Sequence, residues 1–500
     1  MNLMMLLEMA SGGFGERTAL GDGRTGLTYS ALFDRAARAA TLFEKEAVQR
    51  VGFIDVNSEA LPIALYGSAW AGLPFAPLNY RLDQEHLEVL AHELAPALVI
   101  CEPSVIDRLH AGEGLRLVSR HDFLSGLDDH EPADHDWSMD PEEIAVLLFT
   151  SGTSGPPKAA VLRHRHLVSY VLASVEFMGA GEDEATLVSV PPYHVAGMAA
   201  ILSATYAGRR IVQLPGFDAG EWVELVREQG VTHAMVVPTM LARIVERLEA
   251  DRGALGTLRA LSYGGGRMPL SVIERAVRLL PQVDFVNAYG LTETSSTIAL
   301  LGPDDHREAL AADDEAGRRR LASVGRPLPA VDLEIRDETG EALPPGSYGE
   351  IHVRGEQVSG EYLGRPAAVD AEGWFATRDS GMLDEEGFLF LEGRIDDVII
   401  RGGENLSPGE IEDCLVAHGE VVDAAAVGLA DTQWGEVVAA IVVRVPGSAV
   451  SGEELQRWVR ERLRSAKVPA RVEFRDELPY NETGKLLRRV LKAELAAGAT

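Results

Sequence analysis

Cysteine is nearly absent: Cys101 and Cys414 are the two in 500 residues. So few thiols, so far apart, exclude a disulfide framework and a zinc-ligand spacing. They fit a reducing, cytoplasmic setting. Basic residues are also scarce, 46 Lys and Arg against 77 Asp and Glu, for a net charge of −31. That balance excludes general nucleic-acid binding and attraction to an anionic membrane surface. A nucleotide substrate would need a locally positive site inside an acidic protein. No run approaches the ~18 to 20 apolar residues of a membrane span. The opening MNLMMLLEMA is apolar but carries Glu8 and no basic residue, so it reads as an amphipathic first helix, not a signal peptide. There is no internal repeat. The histidines of the acidic stretch Ser125 to Pro141 read as solvated loop residues rather than metal ligands.

What is present points to a globular enzyme-sized protein. Apolar residues make up 46% and charged residues 25%, a soluble composition. The length exceeds one ordinary core, so two or more domains are expected. Helical spacing over Leu27 to Phe43 and Leu61 to Trp70 alternates with short apolar strands at Gly52 to Val56 and Ala97 to Cys101. This alternation predicts a mostly parallel α/β sheet. The chain is organised around Leu147 to Lys158, LLFTSGTSGPPK. An apolar strand, Ile144 to Phe149, stops at Thr150, Ser151, Gly152, Thr153, Ser154 and Gly155. Two prolines and Lys158 follow, and helical spacing resumes over Leu162 to Met178. The expected layout is strand, hydroxyl-rich loop, helix. Such a loop suits phosphate: glycines let backbone N–H groups approach an anion, hydroxyls add donors, and lysine adds positive charge. It lacks the Gly-Lys-Ser/Thr of a Walker loop.

Further motifs follow in order. A strand over Leu187 to Pro192 leads into Tyr193, His194, Val195, Ala196, Gly197 and Met198, where a histidine followed by small residues could line a pocket. Leu261 to Gly266, LSYGGG, ends a strand on Gly264, Gly265 and Gly266. Phe285 to Thr294, FVNAYGLTET, delivers Asn287, Ala288, Tyr289 and Gly290 to a turn. There Tyr289 can stack on a base, Thr292 can donate to an α-phosphate, and Glu293 can hold Mg²⁺ through oxygen. Arg318 to Arg320 reads as a solvated helix end. A β-rich stretch then shows hairpin signals at Glu338-Thr339-Gly340 and Pro344-Pro345-Gly346. Asp379, after a short strand, can accept from both hydroxyls of a ribose, as acidic residues of dinucleotide folds do. The last hundred residues read as a compact α+β unit. Ser407-Pro408 starts a helix, strands flank an Asp431-Thr432 turn, and LPYNETGK ends on Lys485.

Together these strings identify a resemblance. TSGTSGPPK resembles the phosphate loop of the adenylate-forming superfamily of acyl-CoA synthetases, luciferases and peptide-synthetase adenylation domains, with Ala159 where the family usually has glycine. TYSALFDRAARAATLF, PLNYRL, the PxxHxxG around His194, YGLTET, the GRIDD at Arg394 and LPYNETGK are similar to family motifs in family order. The resemblance covers nearly the whole chain. It implies a large N-terminal domain of layered α/β sheets with a β-rich subdomain, residues 1–394. A small mobile α+β C-terminal domain, residues 395–500, would carry the catalytic lysine. The activity implied is ATP-dependent conversion of a carboxylic acid to an acyl-adenylate, then to a thioester of coenzyme A, with Mg²⁺ as cofactor.

By the same resemblance Lys485, Thr292, Glu293 and His194 are catalytic, with Glu293 the metal ligand. ATP and AMP contacts fall to Thr150, Ser151, Gly152, Thr153, Ser154, Gly155, Lys158, Gly264, Gly265, Asn287, Ala288, Tyr289, Gly290, Thr292, Asp379, Arg394 and Lys485. The acyl pocket comprises His194, Ala196, Gly197, Met198, Val237, Gly264, Gly265 and Gly290. Gly402 and Gly403 face the coenzyme A arm, and Asp396 is the hinge. Small and apolar residues dominate the pocket segments, and no acidic residue there is poised for an amino group. An aliphatic, aryl or terpenoid acid is expected over an amino acid. The alternatives are a stand-alone enzyme that loads a carrier protein, or a catalytically silent binding relative. A homodimer is compatible with all three.

Overall fold

The computed structural model describes residues 1–110, 112–150, 157–251, 254–480 and 486–497. Two large sheets dominate the N-terminal part. One has six strands, in the order Leu115–Ser119, Ala97–Cys101, Arg50–Ile54, Phe75–Pro77, Ile144–Thr150 and Lys158–Arg163. All neighbours in it are parallel except the last pair. The other has nine strands and is parallel through its centre. There Arg210–Gln213, Ala185–Val188, His233–Val236, Ala260–Gly264 and Asp284–Leu291 lie side by side. The two sheets share an apolar core. Into it go the helices Met4–Phe14, Tyr29–Lys45, Ala60–Trp70 and Val195–Ala207. The apolar N-terminal run is thus core: Leu3, Met4, Leu6 and Leu7 are buried.

One expectation is corrected. The stretch after the hydroxyl-rich turn is not yet helix. Lys158–Arg163 first returns as a strand antiparallel to Ile144–Thr150, and the helix begins only at His164. Ala159 to Leu162 are buried in that strand. Here sheet pairing overrides the weak helical preference of a short apolar run.

The chain then forms a four-stranded antiparallel sheet, Asp332–Arg336, Gly349–Arg354, Phe375–Leu383 and Leu389–Arg394. After the Ile395–Asp397 turn, Ile399 opens a separate five-stranded sheet. Its edge strand Val421–Asp431, paired along its length with Gly435–Arg444, alternates faces, as the period of two in a strand requires. Ala424 and Ala426 pack with the helices Pro408–Val416 and Gly452–Arg462. Ala425 and Val427 pack with Leu491 and Leu495 of the helix Arg488–Ala497. Ser451 and Glu454 cap Gly452–Arg462 reciprocally, the capping-box arrangement. Ser407 instead donates its hydroxyl to the Glu392 carbonyl, 3.0 Å away, and so ties this unit to the preceding sheet. Among the described residues no helix is long and apolar enough to cross a membrane.

Candidate active site

The hydroxyl-rich segment lies between two paired strands. Thr150 pairs with Lys158 across the two strands that flank it. Ser151, Gly152, Thr153, Ser154 and Gly155 lie outside the described residues. From its strand Lys158 reaches Tyr362, with Nζ 5.6 Å from the ring centroid. Tyr362 in turn donates its hydroxyl to Glu293 Oε1 at 2.6 Å. Burial, and then the Glu293 charge, push the Tyr362 hydroxyl well above the usual tyrosine range. Glu293 belongs to the tight turn Thr292–Thr294, which Thr294 closes by accepting from the Leu291 N–H at 2.9 Å. Ser295 and Ser296 beyond it have φ of 56° and 115°, a strained pair of the sort that clusters at functional sites.

A second group meets where the nine-stranded sheet abuts the antiparallel one. Tyr289 donates to Asp379 Oδ2 at 2.6 Å, and Arg394 Nε lies 3.2 Å from Asp379 Oδ1. Asp379 and Arg394 sit opposite each other on paired strands, and Arg394 also donates to the Thr377 carbonyl at 2.8 Å. The Tyr289 ring packs in the apolar cluster with Ile298 and Ile351. Burial, reinforced by the Asp379 charge, holds its hydroxyl protonated.

The donor set fits a magnesium ion. Glu293 is 8% exposed and its carboxylate faces no basic side chain among the described residues. The described residues contain no group of three or more His, Cys, Asp or Glu side chains able to hold a metal. A single carboxylate is what Mg²⁺ uses when substrate phosphates and water complete its shell.

Residues 7–363 match the family of AMP-binding enzymes, and residues 410–485 match the AMP-binding enzyme C-terminal domain. The chain belongs to the AMP-binding enzyme family. Two similar proteins each cover 94% of it. One is a fatty acid–acyl-carrier-protein ligase, ScoC, of Streptomyces coeruleorubidus, 32% identical with 92% of its own length covered. The other is a feruloyl-CoA synthase of Amycolatopsis sp, 33% identical with 94% covered. Among solved structures, ATP-bound MatB of Rhodopseudomonas palustris superimposes with a TM-score of 0.87, 27% identity and 99% of each chain covered. MenE of Bacillus subtilis with its acyl-adenylate gives 0.84, 27% and 97% of each. The amide bond synthetase McbA of Marinactinospora thermotolerans gives 0.85 and 28%, over 99% of this chain and all of that one.

In this AMP-binding enzyme the remaining expected residues divide into those that shape space and those that shape the fold. His194 precedes the helix Val195–Ala207, with its ring 4.7 Å from that of Tyr193, which packs on Tyr80. Its Nε2 is buried without a hydrogen-bond partner among the described residues, and burial pushes the imidazole down to about 4. The ring is therefore neutral at pH 7 and has one nitrogen unassigned. Ala196 is partly exposed beside it. Met198 and Val237, expected at the acyl pocket, are buried, Met198 in the core shared by the two sheets and Val237 in a separate cluster with Leu241 and Ile273.

The glycines separate the same way. A Cβ on Gly264 would stand 2.2 Å from the Ala288 carbonyl oxygen, one on Gly290 1.7 Å from that of Ser296, and one on Gly197 2.9 Å from that of Pro191. Those three are glycine because backbone passes close by. Gly265 differs. It has φ of +80°, and a Cβ there would meet only Val237, at 3.6 Å, so it is the glycine that opens space. Ala288 and Asn287 lie on the same strand, and Asn287 donates to the Ser323 carbonyl at 3.1 Å.

Gly402 and Gly403 are the two central residues of a hairpin, with φ of +59° and +83°. A two-residue turn with both φ positive selects glycine on its own account. Gly402 also donates to the Trp434 carbonyl at 2.7 Å. Asp396, in the turn between the last two sheets, receives Arg378 at 3.0 Å. Lys485 lies outside the described residues. Sequence reasoning missed Tyr362, whose GEYLGR context carries no recognisable pattern. It also missed Arg267, which follows the glycine triplet and pairs with Asp413 of the C-terminal domain.

Proposed function

We propose that this enzyme uses ATP to convert a carboxylic acid into an acyl-adenylate, releasing pyrophosphate, and then passes the acyl group to the thiol of coenzyme A. The observation that carries this reading is the meeting of Lys158, Tyr362 and Glu293 beside the Tyr289–Asp379–Arg394 cluster. Six residues from four distant segments converge on what a nucleotide requires. A carboxylate resists attack because of its charge and its poor leaving group, and joining it to AMP removes both obstacles. The substrate oxygen attacks the α-phosphorus and pyrophosphate departs. Catalysis of such a displacement is mainly positioning and charge stabilisation.

Asp379 and Arg394 would hold the ribose end. Lys158 and the backbone of residues 150–157 would hold the departing phosphates. When bound at Glu293, Mg²⁺ would neutralise charge on those phosphates. His194, neutral and with a ring nitrogen that no described residue engages, would meet the substrate carboxylate. Lys485 would face the α-phosphate from the C-terminal domain. We place the domain division between residues 394 and 395. The small domain turns about Asp396 to exchange Lys485 for the Gly402–Gly403 hairpin when the thiol arrives.

The apolar segments around His194 and Gly265 favour a hydrophobic aliphatic, aryl or terpenoid acid. A second reading, transfer to a carrier-protein thiol in place of coenzyme A, is favoured by the similarity to ScoC. The test is a panel of acids with ATP and either coenzyme A or a pantetheinylated carrier, reading AMP and thioester by mass. Thioester on coenzyme A is expected. Thioester on the carrier alone would select the second reading. Absence of ATP–pyrophosphate exchange with every acid would make the chain a silent binding relative.

A further inference from the structure

We propose that Tyr362 is a positioning residue that sets the Glu293 carboxylate for the divalent cation accompanying ATP and couples it to Lys158. The inference rests on the adenylating reading above and concerns a residue to which that reading gives no role of its own.

Glu293 is in an unusual position. A buried carboxylate normally has a cation beside it or several donors around it, because desolvating the charge is otherwise expensive. Here the one hydrogen bond to the carboxylate among the described residues comes from the Tyr362 hydroxyl. Among the described residues no lysine, arginine or histidine pairs with Glu293. At 2.6 Å the contact is in the range of charge-assisted O–H···O⁻ bonds. It engages Oε1 and leaves the second oxygen to be satisfied by a cation.

The segment that carries Tyr362 is built as a rigid spacer between two parts of the site. On one side it bonds to the strand that follows the phosphate turn. Leu363 N–H donates to the Ala159 carbonyl at 2.9 Å, and Val161 N–H donates to the Glu361 carbonyl at 2.9 Å. Arg163 forks onto Glu361 at 2.9 and 2.7 Å. On the other side Ser359 N–H donates to the Glu293 carbonyl at 2.8 Å. Between them Gly360 turns at φ of +51°, against Val369 and Phe375. The phosphate-turn strand and the Glu293 turn therefore share one stretch of backbone. Tyr362 projects from that stretch with its hydroxyl on the anion and its ring beside the Lys158 ammonium. Partners of a metal-binding carboxylate fix its orientation, and losing one weakens metal affinity by roughly 10- to 100-fold.

The test is calorimetric titration of the full-length protein with a non-hydrolysable ATP analogue, once with Mg²⁺ and once with EDTA. Tyr362→Phe keeps the ring beside Lys158 and removes only the hydroxyl. It should weaken binding roughly 10-fold or more in Mg²⁺ and leave binding in EDTA unchanged. Tyr362→Leu, which also removes the ring, should weaken binding in EDTA as well. In a Glu293→Gln background Tyr362→Phe should have no further effect, the signature of a shared interaction. Tyr362→His, which can still donate, should recover part of the Mg²⁺ response. Equal losses in Mg²⁺ and EDTA, no loss in either, or additivity with Glu293→Gln would overturn the assignment. Wild-type protein that binds no nucleotide under either condition would instead sink the adenylating reading itself.

Discussion

Acidification should destabilise the N-terminal domain through its buried histidines, and His194 allows the effect to be measured at the site. Burial is the main cause that pushes His164 and His194 down to about 4 and His166 down to about 3. The unfolded chain titrates near 6.5. Above that value all three are neutral in both states and their packing is fully realised. As the pH falls below 6.5 the unfolded state takes up protons that the folded state cannot, and stability drops until the folded value is reached. With 1.36 kcal/mol per unit, each histidine costs about 2 kcal/mol at pH 5 relative to pH 7. Asp55 works in the opposite sense. Burial raises its carboxyl to about 6, so it takes up a proton in the folded state first and offsets part of the loss. The clean quantity is therefore a difference between variants. Urea unfolding of wild type and His194→Gln at pH 7 and pH 5 should show a pH-dependent loss about 2 kcal/mol smaller in the variant. His166→Gln, buried outside the site, should behave likewise. Identical pH dependences in all three proteins would refute the reasoning, since they would mean that the imidazoles ionise in place.

The other expectations concern the chemistry and its scaffold. Lys485→Ala should lose ~10²- to 10³-fold or more in adenylation, the scale for one oriented charge-stabilising donor. Thioester formation from pre-made acyl-adenylate should be spared, as rapid-quench assays of the two half-reactions would show. Asp396→Pro, which freezes a backbone torsion, should impair the thiol step more than adenylation; an unchanged ratio of the two rates would count against a hinge. Gly264→Ala forces a Cβ onto the Ala288 carbonyl and should lower thermal stability by several kcal/mol. Gly265→Ala should cost only about 1 to 2 kcal/mol for its left-handed backbone but raise the KM for the acid, and the two melting temperatures with the two KM values separate the roles.

How far the sequence disclosed this depends on the range of each interaction. The α/β class and the family were legible because their signals are local: TSGTSGPPK and YGLTET each gather the residues that carry the resemblance within a dozen positions. The strand Lys158–Arg163 was not, because its six residues owe their conformation to pairing with Ile144–Thr150, and helical spacing from Leu162 masked it. Resemblance put Gly264 at the acyl pocket and Gly402 facing the coenzyme A arm, and a local reason for each to be glycine was not visible. The first is demanded by a neighbouring strand and the second by a hairpin turn, and a sequence shows neither neighbour. Tyr362 was silent for the same reason, since Glu293 lies 69 positions away.

On the proposed reading, the charges at the site set the terms on which an acidic protein would hold ATP. Lys158 and Arg394 supply two cations, and Glu293 and Asp379 two anions, so the resident side chains sum to zero. Arg394 is already engaged by Asp379. Lys158 lies by the face of the Tyr362 ring, and no carboxylate among the described residues pairs with it. Among the described residues that leaves one cation of the four charges unpaired, too little to balance a triphosphate in a chain of net charge −31. On the proposed reading the deficit would be met by N–H groups of residues 150–157, by a metal at Glu293 and by Lys485. Nucleotide affinity should therefore depend steeply on the divalent cation, and the rate of adenylation on the C-terminal domain. An N-terminal domain alone would bind Mg²⁺ and ATP yet turn over slowly, whereas tight metal-free binding would mean that positive charge reaches the site from a source other than these.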